Sequence, residues 1–213
     1  MLTIHHLGHS QSERIVWLCE ELEVPYALRR HARDAVTLLS PPELKALHPL
    51  GAAPVIEDDG LLLAESAAIV EYIIARHGGG RLRPGPERAD FADFLYWFHF
   101  ANGNLQPAMV RMLFLNRVQL PASHPVQEAL QGRLDRALAH VDARLRAVPY
   151  FAGQEFTAAD IMHVFTLTTM RLFQPVDLAP YPGIRAYLRR IGERPAYRRA
   201  MANSDPDLAP LLD

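Results

Sequence analysis

Gly51-Ala-Ala-Pro54-Val-Ile-Glu-Asp58-Asp-Gly60-Leu-Leu-Leu-Ala64-Glu65-Ser66-Ala-Ala-Ile69-Val70 is the stretch whose reading decides the fold. It reads as a strand opened by a proline, a tight turn at Asp58-Asp59-Gly60, and a second strand of leucines. Glu65-Ser66 then stand at the mouth of an amphipathic helix. A helix that begins Glu-Ser offers a hydroxyl and free backbone N–H groups to a carboxylate. A proline opening a strand is able to be cis, which turns the preceding backbone outward, toward a ligand. Both features suit a small, peptide-like anion.

Upstream of this stretch, Leu2-Thr-Ile-His-His-Leu7 alternates as a strand and runs into Gly8-His9-Ser10-Gln11-Ser12. Ile15, Leu18, Cys19 and Leu22 then fall at i, i+3, i+4 and i+7, the apolar stripe of a helix. Ser10 or Ser12 is placed to cap it, with Glu13 in the favourable first turn. Val24-Pro25 stops the helix, and Tyr26-Ala-Leu-Arg-Arg-His31 is a second strand, which completes a unit of βαβ size. Pro41-Pro42 opens a short helix through Leu47, and His48-Pro49-Leu50-Gly51 is a turn.

Downstream, residues 78–86 (Gly-Gly-Gly-Arg-Leu-Arg-Pro-Gly-Pro) form the clearest boundary: glycines end the helix and prolines forbid another. Beyond it only helical patterns remain. Phe91, Phe94, Leu95, Phe98 and Leu105 mark a long helix bent near Pro107. Leu130, Leu134, Leu138, Val141 and Leu145 mark another, started by Ser123-His-Pro125. A third is expected from Thr157 to about Phe173, with shorter ones over Pro182–Ile191 and Pro195–Ala202. The tail from Asn203 to Asp213 carries two prolines and is expected on the surface. The expected organisation is an α/β domain over residues 1–77 (βαβ-α-ββα), a linker over 78–86, and an all-helical domain over 87–213.

Composition narrows the function. With 213 residues, 49% of them hydrophobic, the chain is long enough to bury a substantial core. A formal net charge of −2 gives no basic footprint for nucleic acid. No apolar run is long enough to span a membrane, and the first residues carry no signal core, so a cytoplasmic, soluble protein is expected. One cysteine, Cys19, leaves neither an internal disulfide nor a CxxC pair, and its place on the buried stripe points to inert core. His5, His6 and His9 raise the question of a metal. His5 and His6 face opposite sides of a strand and no carboxylate or cysteine stands near in sequence, so no metal is expected. Thr157-Ala-Ala-Asp160 is a capping box, with Asp for Glu, ahead of an apolar helix. Tyr96, Trp97, Phe98, His99 and Phe100 surround their helix, so some of them must face a cleft or a subunit interface.

Taken together and in order, the strand–helix start around Ser10–Leu22, Ala53-Pro54-Val55, Glu65-Ser66-Ala-Ala-Ile69, the Gly/Pro linker and Thr157-Ala-Ala-Asp160 resemble a cytosolic glutathione S-transferase. His48-Pro49-Leu50-Gly51 and Tyr96-Trp97-Phe98-His99 are similar to a branch found in bacteria and fungi. The resemblance implies a thioredoxin-like first domain, a helical second one, a homodimer, and a detoxifying transferase that uses glutathione as co-substrate without a metal. It implies a cis Pro54, with the backbone of Ala53 and the following Val55 strand pairing with the cysteine of glutathione as a one-residue strand addition. Glu65 and Ser66 would meet the γ-glutamyl end. Lys45 and His48 are the nearest donors for the glycine carboxylate, because Ala52 stands where relatives of this branch often have Lys or Arg.

The task so implied is to hold glutathione as a thiolate. A free thiol has a pKa of about 8.5, and lowering it by two units requires roughly 2.7 kcal/mol. A helix N-terminus supplies about 0.3–1 kcal/mol, up to ~2 when partly buried. A hydroxyl donating to a charged sulfur adds about 1.5–3 kcal/mol. The two together suffice, so the donor belongs just before the helix of residues 13–23. Ser10, His9 and Ser12 qualify, with Ser10 preferred because serine is the commoner donor in the family's non-tyrosine branches. A hydrophobic electrophile would bind between this loop and the long helix, against Tyr96, His99, Phe100, Asn104 and Met109. Peroxide reduction with the same thiolate, or a non-catalytic member that binds glutathione or another ligand, are the competing readings.

Overall fold

The alternating segment near the N-terminus does form a strand, β1 (Thr3–Leu7), in a computed structural model of the chain that describes residues 1–118, 120, 121 and 123–213. It leads through a turn into α1 (Glu13–Leu22), whose stripe of Ile15, Leu18, Cys19 and Leu22 is buried as the periodicity requires. β2 (Ala27–His31) returns parallel to β1, with Thr3 opposite Ala27 and Leu7 opposite His31. α2 (Pro42–Lys45) ends two residues earlier than the sequence suggests. Pro49 disfavours helical backbone at His48, whose ring accepts the Leu50 N–H at 3.3 Å instead.

The stretch that decides the fold then builds the other half of the sheet. β3 (Val55–Asp58) runs antiparallel to β1, with Val55 opposite His5, and β4 (Leu61–Ala64) pairs antiparallel to β3. Strand order is β2-β1-β3-β4. α3 (Ser66–Arg76) buries Ile69, Val70 and Ile73 and packs on α1. Asp58, at the end of β3, accepts from the Tyr72 hydroxyl at 2.9 Å and pairs with the His77 ring at 2.6 Å, which ties the hairpin to this helix. This is a thioredoxin-like domain.

The described chain divides into two compact units, and the second comprises Pro84–Ile191 with Leu211–Asp213. α4 (Phe91–Phe100) widens into a π turn over Ala101–Leu105 before α5 (Gln106–Val118). The bend expected near Pro107 therefore takes this form: a proline ring would press on the carbonyl four residues back, and the wider turn relieves it. α6 (Pro125–Ala147) starts with Pro125 in its first turn and the His124 ring accepting the Val126 N–H. α7 (Ala158–Leu167) starts on the expected box: Thr157 Oγ1 accepts from the Ala159 N–H, and Asp160 accepts the Thr157 N–H at 2.8 Å. It ends six residues before Phe173, because Thr168 leaves helical geometry, its hydroxyl donates to the Val164 carbonyl at 2.7 Å, and a short 3₁₀ turn follows. α8 (Pro182–Glu193) begins against Asp142, which accepts the N–H groups of Gly183 and Ile184. A Cβ on Gly183 would lie 2.6 Å from the Asp142 carbonyl, so the approach needs glycine.

α9 (Pro195–Ser204) belongs to the first unit, which comprises Met1–Arg83 with Gly192–Pro210. The sequence placed it with the helical domain, since periodicity exposes an apolar face without naming what covers it. Tyr197 meets Trp17 edge to face, and Arg194 forks onto both oxygens of Glu21 at 2.7 Å. The tail is not wholly superficial either: Ser204 and Asp205 are buried. No described helix is long and apolar enough to cross a membrane. Removing the guanidinium with Arg194→Ala is expected to cost about 1.5–3 kcal/mol in denaturant unfolding, because a largely buried carboxylate loses two charge-assisted hydrogen bonds.

Candidate active site

Backbone turns, not side-chain caps, start α1. Glu13, Arg14 and Ile15 donate to the carbonyls of Ser10, Gln11 and Ser12 at 3.0–3.2 Å. The expectation that a serine side chain caps this helix is thus corrected, because both hydroxyls are engaged elsewhere. Ser12 Oγ accepts the Leu7 N–H at 3.1 Å and lies 2.9 Å from His6 Nδ1 and 2.7 Å from Ser10 Oγ. Ser12 has no exposed surface and Ser10 only 6%. His9 departs from both: its φ is +53°, and its side chain is 45% exposed with Nε2 3.9 Å from Asp205. The turn that carries it is braced by Arg33, which donates to the carbonyls of Gly8 and His9.

Ala53-Pro54 is a cis peptide bond, and both residues are buried together with Val55 at the entrance to β3. The Ala53 carbonyl accepts from Gln11 Nε2 at 3.3 Å. The other end of the same side chain accepts from Arg14 at 3.0 Å, and Arg14 reaches on to Ser66 Oγ at 3.2 Å. Arg14 has no exposed surface, and burial pulls its guanidinium down to about 9 against the opposing pull of Glu13. Gln11 and Arg14 thereby bring the start of α1, the Ala53-Pro54 corner and the start of α3 into one cluster. Glu65 precedes α3 exposed, with φ +70° and ψ 110°, backbone that a non-glycine residue holds only when its surroundings impose it. Sequence reading missed the bridging role of Gln11; its only signal was its place between the two serines.

Lys45 is exposed and its stem lies against Gly51, where an added Cβ would come within 3.1 Å of Lys45 Cγ. His48 is half-buried, and Ala52 is exposed beside them. In the helical unit, Tyr96, Phe100 and Asn104 line one groove together with Arg111, Arg133 and His140. Met109 is buried beside Leu105 and Leu138, and His99 is exposed against Phe98, so neither of these two lines that groove. The helical turn separates them: residues four apart share a face, and positions 99 and 109 fall off it.

Cys19 is buried, and desolvation with help from Glu20 pushes its thiol up to about 12, the opposite of an activated nucleophile. His5 and His6 do face opposite sides of β1: His5 meets His31 and Glu57, and His6 meets Ser12 and Asp205. Among the described residues no three His, Cys, Asp or Glu side chains come together as metal ligands.

Models of the glutathione S-transferase N-terminal and C-terminal domains match residues 10–76 and 105–195. Glutathione S-transferase 3 of Schizosaccharomyces pombe is 32% identical over 212 residues, covering 94% of this chain and 86% of that protein. The chain belongs to the glutathione S-transferase family. Glutathione S-transferase GstB of Escherichia coli is 29% identical over 211 residues, 94% of this chain and 98% of its own length. Among solved structures, a glutathione S-transferase from Actinobacillus pleuropneumoniae superimposes with a TM-score of 0.88 at 31% identity, covering 98% of this chain and 97% of that one. The theta class glutathione S-transferase of Xanthomonas axonopodis, solved with glutathione bound, superimposes at 0.72 with 28% identity over 93% of this chain and 96% of that one. The glutathione S-transferase fold thus carries the cluster around Ser10, Ala53 and Ser66.

Asp205 is the residue here that no motif announced. Burial opposes its charge, but the His6 ring and the His9 N–H outweigh it and hold the carboxyl below its usual range. A carboxyl with a folded-state pKa below its unfolded value contributes stability above the ordinary carboxylate range, and that contribution fades as pH falls through the folded value. Asp205→Asn is therefore expected to lower the unfolding free energy by about 1–3 kcal/mol at neutral pH, a difference that closes below about pH 4. Denaturant titrations of both proteins across that range check it.

Proposed function

We propose that this chain binds glutathione at the Ser10–Ala53–Ser66 cluster and activates its thiol for attack on a hydrophobic electrophile. The observation that carries the reading is the bridge Ala53–Gln11–Arg14–Ser66, which ties the entrance to a strand, the start of α1 and the start of α3 into one cluster. The backbone of Ala53 takes the cysteine of glutathione as an added strand residue, with Pro54 and Val55 holding that edge. Glu65 receives the γ-glutamyl amine, while Ser66 and the N–H groups that open α3 receive the carboxylate. Lys45, whose stem already lies beside Gly51, supplies the cation for the glycine carboxylate, and His48 a further donor.

Of the three residues considered for the sulfur, geometry favours Ser10. Ser12 is sealed behind it, and the exposed His9 ring is drawn toward Asp205. The Ser10 hydroxyl stands immediately before α1, so that a thiolate there meets a hydrogen-bond donor and the positive end of the helix. As in the family, two copies would form a homodimer. Tyr96, Phe100 and Asn104, grouped on one groove of the helical unit, are the subset of wall residues able to act together on one ligand.

Ser10→Ala is expected to raise the pKa of bound glutathione by about one to two units, the worth of one hydrogen bond to a charged sulfur, with little change in glutathione affinity. Ultraviolet absorbance of the bound thiolate against pH and the pH–rate profile with an aryl halide measure it; profiles that coincide would remove Ser10 from the role. Retention on immobilised glutathione together with turnover of an aryl halide supports the transferase. Turnover of a hydroperoxide alone would point to peroxide reduction, and retention without any turnover to a binding protein.

A further inference from the structure

Four side chains of the first unit form one unbroken hydrogen-bonded line. Asp205 Oδ2 lies 3.1 Å from His6 Nε2, His6 Nδ1 lies 2.9 Å from Ser12 Oγ, and Ser12 Oγ lies 2.7 Å from Ser10 Oγ. All four residues are buried. Counting protons along the line gives it a direction. A carboxylate only accepts, so His6 Nε2 carries a hydrogen. With a neutral ring, Nδ1 is then a bare acceptor and the Ser12 hydroxyl must donate to it. The two lone pairs of Ser12 receive the Leu7 N–H and, at 2.7 Å, the Ser10 hydroxyl. The Ser10 proton accordingly points into the protein. One lone pair of Ser10 takes the Ser12 N–H at 3.3 Å, and the other is open to a donor from outside.

A second proton on the ring leaves the link to Asp205 as it is and reverses the two links beyond the ring. Nδ1–H now donates to Ser12, whose lone pairs are filled, so Ser12 must give its proton to Ser10. The weak alternative, the Leu7 carbonyl at 3.4 Å, would leave the 2.7 Å contact without a hydrogen. The Ser10 hydroxyl then turns outward.

We propose that His6, acting through Ser12 and Ser10 and backed by Asp205, takes the proton of the glutathione thiol. The inference rests on the reading of Ser10 given above. The sulfur's proton moves to Ser10 Oγ, the Ser10 proton to Ser12 Oγ and the Ser12 proton to His6 Nδ1. One S–H bond breaks and one N–H bond forms. Each serine keeps a single O–H, and a thiol with a neutral imidazole becomes a thiolate with an imidazolium. The imidazolium is paired with Asp205, and the Ser10 hydroxyl faces the sulfur in the same event that charges it. His6 touches neither the sulfur nor the electrophile; it is a positioning residue. The charged groups around the pair are the His9 ring, 3.9 Å from Asp205, and Arg33, which holds the Gly8 and His9 carbonyls and attracts Asp205. Exposed Arg30 lies opposite His6 in register on β2, and His5 with His31 and Glu57 occupies the other face.

The test is the proton count on the His6 ring, read by nitrogen NMR of the whole protein at neutral pH. With glutathione both ring nitrogens are expected to carry hydrogen. With S-methylglutathione, which has no proton to give, only Nε2 is. In Ser10→Ala glutathione no longer changes the ring, and its bound thiol titrates higher. Asp205→Asn, which withdraws the anion behind the imidazolium, is expected to raise the bound thiol's pKa by about one unit, a thiolate-to-thiol ratio about tenfold smaller, with little change in glutathione affinity. The same proton count with both ligands in the unsubstituted protein overturns the relay and needs no variant to fold. If Ser10→Ala raises the thiol's pKa while that count stays constant, Ser10 keeps its role and the relay alone falls. If Ser10→Ala leaves the thiol unmoved, both fall.

Discussion

The first unit is arranged around a positive charge that has no exposed surface. A buried guanidinium must be given acceptors or it costs several kcal/mol, and Arg14 finds Gln11 and Ser66. Meeting that demand aligns three separate pieces of chain. The Gln11 side chain, held at one end by Arg14, has its other end on the Ala53 carbonyl, and Ser66 is where α3 begins. The start of α1, the entrance to β3 and the start of α3 are thereby fixed with respect to one another by one side chain that water cannot reach.

Around this fixed centre the backbone is held in conformations that it does not prefer. His9 and Glu65 both adopt positive φ without being glycine, one just before the turn into α1 and the other at the mouth of α3. Each is pinned by its surroundings: Asp205 accepts the His9 N–H at 2.9 Å while Arg33 holds its carbonyl, and the Glu65 carbonyl takes the Ile69 N–H that opens the helix. Such strain persists where neighbouring contacts over-determine the chain, and these two instances, among others at Glu23, Leu38, Asp59 and Leu82, flank the cluster of Ser10, Ala53 and Ser66. The adjacent histidines of β1 show how far a strand's alternation divides roles. His5 is spent on an edge contact with His31 and Glu57, whereas His6, one residue on, belongs to the polar line behind Ser10.

What could be read from the sequence was local. The hairpin over residues 55–64, the helix at Ser66, the proline start at Pro125 and the Thr157–Asp160 box all stand where the pattern put them, because each is set by residues close to one another along the chain. The misses share a cause. α7 stops early because Thr168 turns its hydroxyl onto the backbone, whereas the bend expected near Pro107 is present and only its form, a π turn, was not legible. The pattern offers Ser10 or Ser12 as a helix cap. A hydroxyl in that place is as able to serve His6, and which partner it takes is settled by what lies behind it.

The sequence by itself determined the sheet and its hairpin, the helical second half, the position of Ala53-Pro54 and Glu65-Ser66, and the short list of residues before α1, since periodicity, proline and capping chemistry act along the chain. Only the tertiary structure decided which of those residues stands nearest the solvent side, that α9 belongs with α1, and that Asp205 sits behind His6. The two partners of that last pair are 199 residues apart. No local propensity relates them; burial of a carboxylate beside an imidazole does, and it requires the folded chain.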